Sequence, residues 1–405
     1  MTTVPGDLPP WRRSAAVRVA DVYVGDALAA KLVRDDNSTT LRYLGDEPIR
    51  ISLAMSPGPD VTSPAGSIPP FFAGLLPEGF RLTALLRGAK LSSDDHFGLL
   101  LAVGADCIGD VSVVAEGESL PEIFSTPRDL DLSQVSWDEL VADRLGADSR
   151  DLDRVGIAGV QPKVSATDMI TVFDPFAILK FSPPELPRLV ENEAFFMQMA
   201  QSCGLKTSRT KLFHDRDGKA ALSVARFDRH KQRRWYRKVH VEDSCQFLGR
   251  YPADKYDLTY NAIAAGIARL ASAPPLAVLD LVELIAFSYL IGNGDLHAKN
   301  ISLWRRPGTE IVELSPIYDL VSTIAYRGND RMALAVDGRD DDIRRRDLVD
   351  FANRHDVGAK ALNRRLDRIC DNVQAFADRV DEIGYDEKIS DRLRRELSRR
   401  RDLLA

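Results

Sequence analysis

An aspartate and an asparagine in the loop Leu290–Asn300 have the types and the spacing that phosphoryl transfer needs. The loop ends an apolar run and places Asp295 five residues before Asn300. When a phosphoryl group is transferred to a hydroxyl, such an aspartate orients the hydroxyl and accepts its proton, and such an asparagine binds Mg²⁺. The spacing therefore predicts a catalytic loop, with Asp295 as the base and Asn300 as a metal ligand.

The residues after this loop predict a second carboxylate close to it. Two short runs rich in Ile, Val and Leu flank a Pro-Gly turn, at residues 301–304 and 311–314. This pattern is typical of a β-hairpin, which would return the chain to the loop at Asp319. Asn300 and Asp319 would then both hold Mg²⁺, an ion that takes oxygen ligands. His297, in the same loop, either braces the loop or donates a hydrogen bond to a phosphate oxygen.

A glycine-containing turn and two lysines upstream could bind the phosphates of a nucleotide. Gly156 and Gly159 precede a strand, and backbone N–H groups at such a turn can approach phosphate oxygens, with Lys163 adding charge. A tight turn between strands is the alternative. Lys180 lies in the apolar strand Ile178–Phe181. Protein kinases use a lysine on such a strand to hold the α- and β-phosphates of ATP. A lysine that reaches water from an edge strand is the alternative there.

The helix predicted over Arg188–Cys203 should direct a glutamate toward this lysine. Glu193 shares one helix face with three apolar residues at helical spacing. A carboxylate on an apolar face needs a cation, and Lys180 is the best candidate. The resulting ion pair would position the lysine that binds phosphate.

The composition of the whole chain is that of a soluble globular protein. Its 405 residues are 44% hydrophobic and 28% charged, enough for two or three domains, and the net charge of -6 does not favour nucleic acid. Four scattered cysteines without a Cys-x-x-Cys pair argue against a zinc site and for a reducing compartment. No apolar stretch approaches the roughly 18 residues of a membrane span. We therefore expect a cytoplasmic protein without membrane contact.

Changes in pattern along the chain predict four segments. Residues 1–14 form a flexible tail, and alternating apolar residues predict a β-rich subdomain over residues 15–125. Residues 126–239 contain the glycine-containing turn and Lys180. Residues 240–405 form an all-helical lobe apart from the hairpin, and its last helix carries a run of arginines predicted to face solvent. The fold class is α+β, with the two-lobed order of a protein kinase and an extra N-terminal β-rich subdomain.

Six motifs between about Val17 and about Leu404 resemble those of one known family. They are Phe71–Gly79, Ala158–Lys163, Arg226–Arg229, Glu242–Gln246, Gly294–Asn300 and Tyr318-Asp319. The family is that of the HipA-type serine/threonine kinase toxins of bacterial toxin–antitoxin modules. The resemblance implies an ATP- and Mg²⁺-dependent protein kinase that causes growth arrest and persistence.

The resemblance also implies the roles of particular residues. The positions it assigns to cofactor binding are Gly159, Gln161, Lys163, Lys180, Phe227, Tyr318 and Asp319. The positions it assigns to catalysis are Asp295, His297 and Asn300, with Asn300 and Asp319 on the metal. Members of the family phosphorylate a translation component, typically an aminoacyl-tRNA synthetase, and a small DNA-binding antitoxin restrains them. DNA would therefore be contacted only through the antitoxin.

Two other functions stay open at this point. The segment Gly294–His297 with Asn300 also resembles the loop of small-molecule kinases of the aminoglycoside-phosphotransferase type, which usually carry His where Asn293 stands. A pseudokinase that acts as a binding module or co-repressor is the other alternative. A pseudokinase has lost its catalytic activity, and the presence of Lys180 and Asp295 argues against such a loss here.

One departure from the family generates a prediction. In the best-known members, a serine that autophosphorylates and switches the enzyme off lies where Gly156 stands here. After incubation with ATP and Mg²⁺, mass spectrometry should therefore find no phosphate in Val155–Lys163, which contains no hydroxyl side chain. A phosphate on Ser149 or Ser165 that accompanies loss of ATP binding would show that another hydroxyl has taken over this role.

Overall fold

The computed structural model describes most of the chain, in two compact units. The described residues are 17–79, 82–83, 85–86, 91–120, 134–139, 163–165, 177–232, 235–326 and 331–405. The first unit comprises Met1–Thr126, Asp138–Val160 and Asp228–Pro252, and the second comprises Pro127–Trp137, Gln161–Phe227 and Ala253–Ala405. The predicted tail, 1–14, lies outside the described residues, and the four-segment division stays a prediction.

The described chain contains both helices and antiparallel strands. The strands are β1 (Val19–Val24), β2 (Ala27–Arg34), β3 (Ser38–Tyr43), β4 (Val61–Pro64), β5 (Val111–Ala115), β6 (Lys163–Ser165), β7 (Ala177–Phe181), β8 (Thr210–His214), β9 (Ala220–Ala225), β10 (Arg229–Gln232), β11 (Trp235–Lys238), β12 (Val241–Asp243), β13 (Ser302–Arg305) and β14 (Val312–Leu314). The helices are α1 (Pro70–Gly74), α2 (His96–Val103), α3 (Leu189–Ser202), α4 (Ser244–Phe247), α5 (Tyr260–Leu270), α6 (Pro274–Leu290), α7 (Arg345–Asn353), α8 (Ala359–Ala377) and α9 (Glu387–Leu404).

The first unit is built on an antiparallel sheet with the order β4-β3-β2-β1-β5. Its strands alternate, so that Val22, Leu32 and Leu41 are buried in one core with Phe72 of α1. Period-2 alternation of this kind is what places one face of a strand on a core. The prediction of short antiparallel strands between Val17 and Leu53 is confirmed.

The second unit combines a small sheet with a helical part. The sheet has the order β6-β7-β9-β8, and α3 packs against it through Val190, Leu222 and Val224. The predicted helix over Arg188–Cys203 is confirmed as α3, and the chain leaves it through Gly204 at a φ of 81°. The predicted hairpin is confirmed as β13 and β14, where Leu303 pairs with Leu314.

Helix α6 is the centre of the helical part of the second unit. Its residues from Ala277 to Leu290 are buried except Asp280, and it contacts α5, α7, α8 and α9. A helix that is apolar on all sides is stable in water only when other elements surround it. No described helix, α6 included, is long and apolar enough to cross a membrane.

The arginine-rich last helix differs from the predicted solvated face at one position. Arg400 of α9 is 1% exposed, donates a hydrogen bond to the carbonyl oxygen of Tyr289 at 2.9 Å, and lies 4.8 Å from the centre of the Tyr289 ring. A guanidinium can be buried in this way because it satisfies both a carbonyl and an aromatic face. This arginine therefore attaches α9 to the end of α6.

A buried chain of charges stabilises the first unit. The ring nitrogens of His240 lie 2.8 Å from Asp110 Oδ1 and 2.7 Å from Glu242 Oε1, and Ser52 Oγ donates to Glu242 Oε2 at 2.9 Å. Burial opposes a charge on His240, but the hydrogen bonds to Asp110 and Glu242 outweigh it and raise the pKa of this histidine to about 10. The imidazolium therefore holds two carboxylates that would otherwise repel each other.

We expect His240→Phe to destabilise the protein. It leaves Asp110 and Glu242 buried without a cation, and breaking a buried ion pair in this way costs about 3–5 kcal/mol. Because the pKa of His240 is raised from 6.5 to about 10, its contribution is fully present below pH 6.5 and is lost as the pH rises through about 10. Urea unfolding should therefore show a difference between wild type and variant that shrinks from pH 6.5 to pH 10.

The exposed His214 provides a matched control. His214→Phe should change the free energy of unfolding by less than about 0.5 kcal/mol at both pH values, as surface substitutions usually do. A His240→Phe difference that is constant over this pH range would contradict the ionised state of His240.

Candidate active site

Two glycines fix the path of the predicted catalytic loop after α6. Gly292 has a left-handed φ of 65°, and a Cβ there would strike the side chain of Ile324. A Cβ on Gly294 would lie 2.8 Å from the carbonyl oxygen of Arg331 and from Thr323 Oγ1. Both approaches are closer than a side chain allows. The loop therefore lies directly against Thr323, Ile324 and Arg331.

The loop is closed by hydrogen bonds among its own residues. The Asp295 N–H donates to Asn293 Oδ1 at 2.9 Å, and Asn300 Nδ2 donates to the carbonyl oxygen of Asp295 at 3.0 Å. The second bond uses the nitrogen end of the Asn300 amide and orients Oδ1, the end that binds metal ions, away from it. The structure therefore brings Asp295 and Asn300 together as the spacing predicts, and their roles stay predictions.

A tyrosine that the sequence did not single out contacts this loop. Tyr256 Oη donates a hydrogen bond to Asp295 Oδ1 at 2.8 Å. Its ring meets the ring of His297 edge to face, with centroids 5.1 Å apart. His297 is 8% exposed, and this packing favours the bracing role over phosphate contact. The residues from 249 to 259 contain no motif that indicates such a contact.

Lys180 lies between two carboxylates in the second unit. Its Nζ is 2.6 Å from Glu193 Oε1 on α3 and 2.5 Å from Asp319 Oδ1. Burial opposes the charge of Lys180, but the attraction of Asp319 and Glu193 outweighs it and raises the pKa of the lysine. The predicted pairing of Lys180 with Glu193 is confirmed. The pairing with Asp319 brings the candidate phosphate ligand and the candidate metal ligand into one cluster.

Asp319 itself has an unusual backbone conformation. Its φ is 62°, in the left-handed region that Asp and Asn tolerate better than other residues with side chains. Such conformations persist where the surrounding structure determines them. Here Tyr318, the preceding residue, donates to the carbonyl oxygen of Lys299 at 2.8 Å. The hairpin therefore returns the chain beside the catalytic loop, as predicted.

Asn192, next to Glu193, connects α3 to the segment after Asp319. Its Nδ2 donates to the carbonyl oxygen of Ser322, and the Ser322 N–H donates to its Oδ1, both at 2.9 Å. Its Nδ2 also lies 2.9 Å from Tyr385 Oη. Asn192 is fully buried. The sequence analysis did not predict this contact. The one feature that could have indicated it is the polar amide of Asn192 next to Glu193 on a largely apolar helix.

Three aromatic rings lie together at the end of β9. Phe227 lies 5.7 Å from the ring centre of Tyr318, at an angle of 34°, and 5.8 Å from that of Trp304. The Tyr318 hydroxyl lies 2.7 Å from Ser302 Oγ. Phe227 and Tyr318 are only partly buried. The flat faces of such rings suit stacking on a purine base.

The remaining candidate phosphate ligands are described only in part. Gly159 and Gln161 lie outside the described residues. Lys163 is placed in β6, where its Cα is paired with that of Lys180 in β7. The backbone register therefore puts both lysines at the same level of the sheet.

The donor atoms of the candidate metal site suit a hard cation. The described residues contain no group of three or more His, Cys, Asp and Glu that could hold a metal ion. Asn300 and Asp319 offer amide and carboxylate oxygens, and the Asp319 side chain is 19% exposed. Mg²⁺ typically takes one or two protein oxygens and completes its shell with water and phosphate. These residues therefore fit a metal that enters with a nucleotide.

Comparison with known proteins places the chain in one family. Residues 155–379 match the model of the HipA-like C-terminal domain, and residues 20–114 match that of the HipA N-terminal domain. Y4mE of Sinorhizobium fredii, which its name describes as a candidate kinase, is 30% identical over 337 residues, 77% of this chain and 78% of that protein. The serine/threonine-protein kinase toxin HipA of Shewanella oneidensis is 29% identical over 354 residues, 80% of each protein.

A solved structure agrees with this grouping. It is the complex of HipA, HipB and operator DNA from the toxin–antitoxin system of Shewanella oneidensis MR-1. One chain of it superposes with a TM-score of 0.76 at 25% identity, covering 95% of this chain and 97% of that chain. The match confirms the predicted α+β fold class. This chain therefore belongs to the HipA family and is a HipA-like kinase.

Proposed function

We propose that this protein transfers the γ-phosphate of ATP, with Mg²⁺, to a serine or threonine hydroxyl of a protein, as the toxin of a toxin–antitoxin pair. The observation that carries the proposal is the cluster of the buried Lys180 and Glu193 with the partly exposed Asp319. It holds a fixed cation for phosphate and a carboxylate for metal in one place. Serine/threonine specificity is supported by the Shewanella oneidensis toxin, which is named as such a kinase.

The nucleotide would replace one internal partner of this cluster. A phosphate oxygen takes the place of Asp319 on Lys180, while Glu193 keeps the lysine in position. Asp319 and Asn300 would hold Mg²⁺ through their side-chain oxygens. The metal would supply positive charge that stabilises the negative charge developing on the phosphate. Phe227 and Tyr318 offer ring faces to the adenine, and Gly159, Gln161 and Lys163 supply further phosphate contacts.

Asp295 would act on the acceptor hydroxyl. The hydroxyl oxygen forms a bond to the γ-phosphorus, the bond from that phosphorus to the β,γ-bridging oxygen breaks, and ADP leaves. The proton of the hydroxyl passes to the Asp295 carboxylate. The bond from Asn300 Nδ2 to the Asp295 carbonyl oxygen keeps the base and the metal ligand in one rigid loop.

Membership of the family supports two proposed partners, a protein substrate and an antitoxin. We propose a protein substrate in translation, such as an aminoacyl-tRNA synthetase, whose phosphorylation arrests growth. We also propose a small DNA-binding antitoxin, because the similar solved chain is in a complex with HipB and operator DNA. The net charge of -6 favours contact with DNA through such a partner rather than directly.

Removal of either catalytic carboxylate tests the proposal. Asp295→Asn should lower transfer by about 10²–10⁴-fold, the usual contribution of a positioned base, and Asp319→Ala should abolish it and relieve growth arrest. The measurement is transfer of label from γ-labelled ATP in a cell lysate. The exposed Asp350→Asn is the matched control and should retain wild-type transfer. Full transfer by either site variant would overturn the site assignment.

The same incubation separates the other functions. A labelled protein band supports the protein kinase. Label confined to a small molecule indicates a small-molecule kinase, and the absence of both indicates a pseudokinase.

A second prediction follows from the hydrogen bonds of Asn192. Asn192→Ala should raise the Mg²⁺ concentration needed for half-maximal transfer and lower kcat by roughly five- to 100-fold, because each buried group left unpaired costs about 1–3 kcal/mol. Titration of Mg²⁺ at saturating ATP measures both effects. The exposed Asn353→Ala is the matched control. An unchanged Mg²⁺ dependence would show that Asn192 stabilises the fold without positioning Asp319.

A further inference from the structure

The hydroxyl of Tyr256 has the contact that an acceptor hydroxyl needs. Its Oη donates to Asp295 Oδ1 at 2.8 Å, the usual distance for an O–H···O hydrogen bond. A base in phosphoryl transfer must lie within this distance of the hydroxyl whose proton it accepts. An acceptor hydroxyl and Tyr256 Oη therefore compete for the same carboxylate oxygen.

The side chain of Tyr256 is about half exposed although its ring has neighbours. One edge of the ring packs on the buried His297, and Lys255 Nζ lies 5.6 Å from the ring centre, while 48% of the residue is exposed. It is the last residue of the short 3-10 helix Pro252–Tyr256. A side chain with this exposure can rotate about χ1 and release Asp295 without unfolding its element. The described conformation is thus one that an incoming substrate can change locally.

We propose that Tyr256 controls the acceptor subsite by occupying Asp295 Oδ1 until an acceptor hydroxyl displaces it. The inference rests on the proposed function, because it takes Asp295 as the base. A protein substrate gains contacts over its whole docked surface and can displace the tyrosine. A single water molecule gains only the one hydrogen bond that it replaces. Tyr256 therefore selects protein hydroxyls over water and protects bound ATP from hydrolysis.

Tyr256→Phe tests this role because it removes the hydroxyl and keeps the ring on His297. Without an added acceptor, ATP hydrolysis should rise roughly three- to tenfold, the factor that corresponds to loss of one net hydrogen bond. With dephosphorylated casein as the probe acceptor, KM for casein should fall by a similar factor while KM for ATP stays unchanged. A merely structural tyrosine would lower both activities on removal of its hydroxyl.

Two controls make the outcome specific. Tyr251→Phe removes a hydroxyl that hydrogen-bonds to Ser67 Oγ at 3.2 Å in the first unit, and it should leave hydrolysis unchanged. The double variant Asp295→Asn with Tyr256→Phe should not show the increased rate of ATP hydrolysis, because that increase requires the Asp295 carboxylate.

The results separate failure of this inference from failure of the proposed function. If Asp295→Asn abolishes transfer but Tyr256→Phe hydrolyses ATP at or below the wild-type rate, the proposed function stands and the role of Tyr256 is overturned. Phosphate found on Tyr256 by mass spectrometry would also overturn it, since the hydroxyl would then be an acceptor. If Asp295→Asn retains full transfer, both the base assignment and the inference from it fail.

Discussion

The buried ammonium of Lys180 is the constraint on which the second unit depends. A charge 4% exposed is stable only with a permanent partner, and Glu193, fully buried, is that partner. Asp319 is 19% exposed at its side chain and adds a second negative charge. The cluster of one cation and two carboxylates carries a net charge of -1, which favours the approach of a further cation. In the proposed function, Glu193 is therefore the fixed member of the cluster and Asp319 the exchangeable one.

This constraint determines how neighbouring elements are arranged. Helix α3 must present Glu193 to β7, and the adjacent Asn192 then binds both backbone groups of Ser322. The segment that follows Asp319 lies against the catalytic loop, where Gly294 leaves no room for a side chain beside Thr323. A shift of α3 would therefore move the candidate metal ligand as well as the candidate phosphate ligand. The geometry of the candidate site thus depends on the contacts between α3, β7 and the segment that follows the hairpin.

The parts of this arrangement that local patterns encode could be predicted from the sequence. A five-residue spacing identified Asp295 and Asn300, and helical periodicity placed Glu193 toward Lys180. Contacts between distant residues were missed, because no periodic pattern encodes them. Tyr256 contacts Asp295 across 39 residues, and Arg400 contacts the Tyr289 carbonyl across 111. The arginine run predicted a solvated face, but a local charge pattern does not show which guanidinium finds a buried carbonyl.

The two halves of the candidate site share one physical principle. In each, a group that we propose binds substrate already has a partner within the protein that resembles the substrate group. Lys180 holds a carboxylate oxygen where the proposal places a phosphate oxygen, and Asp295 accepts from a phenol where the proposal places an aliphatic hydroxyl. Such pairs keep buried charges satisfied before substrate arrives. They also mean that binding exchanges one interaction for an equivalent one, so that selectivity depends on what else the incoming molecule contacts. A small competitor such as water has no further contacts to offer, whereas a nucleotide with its metal, or a docked protein, does.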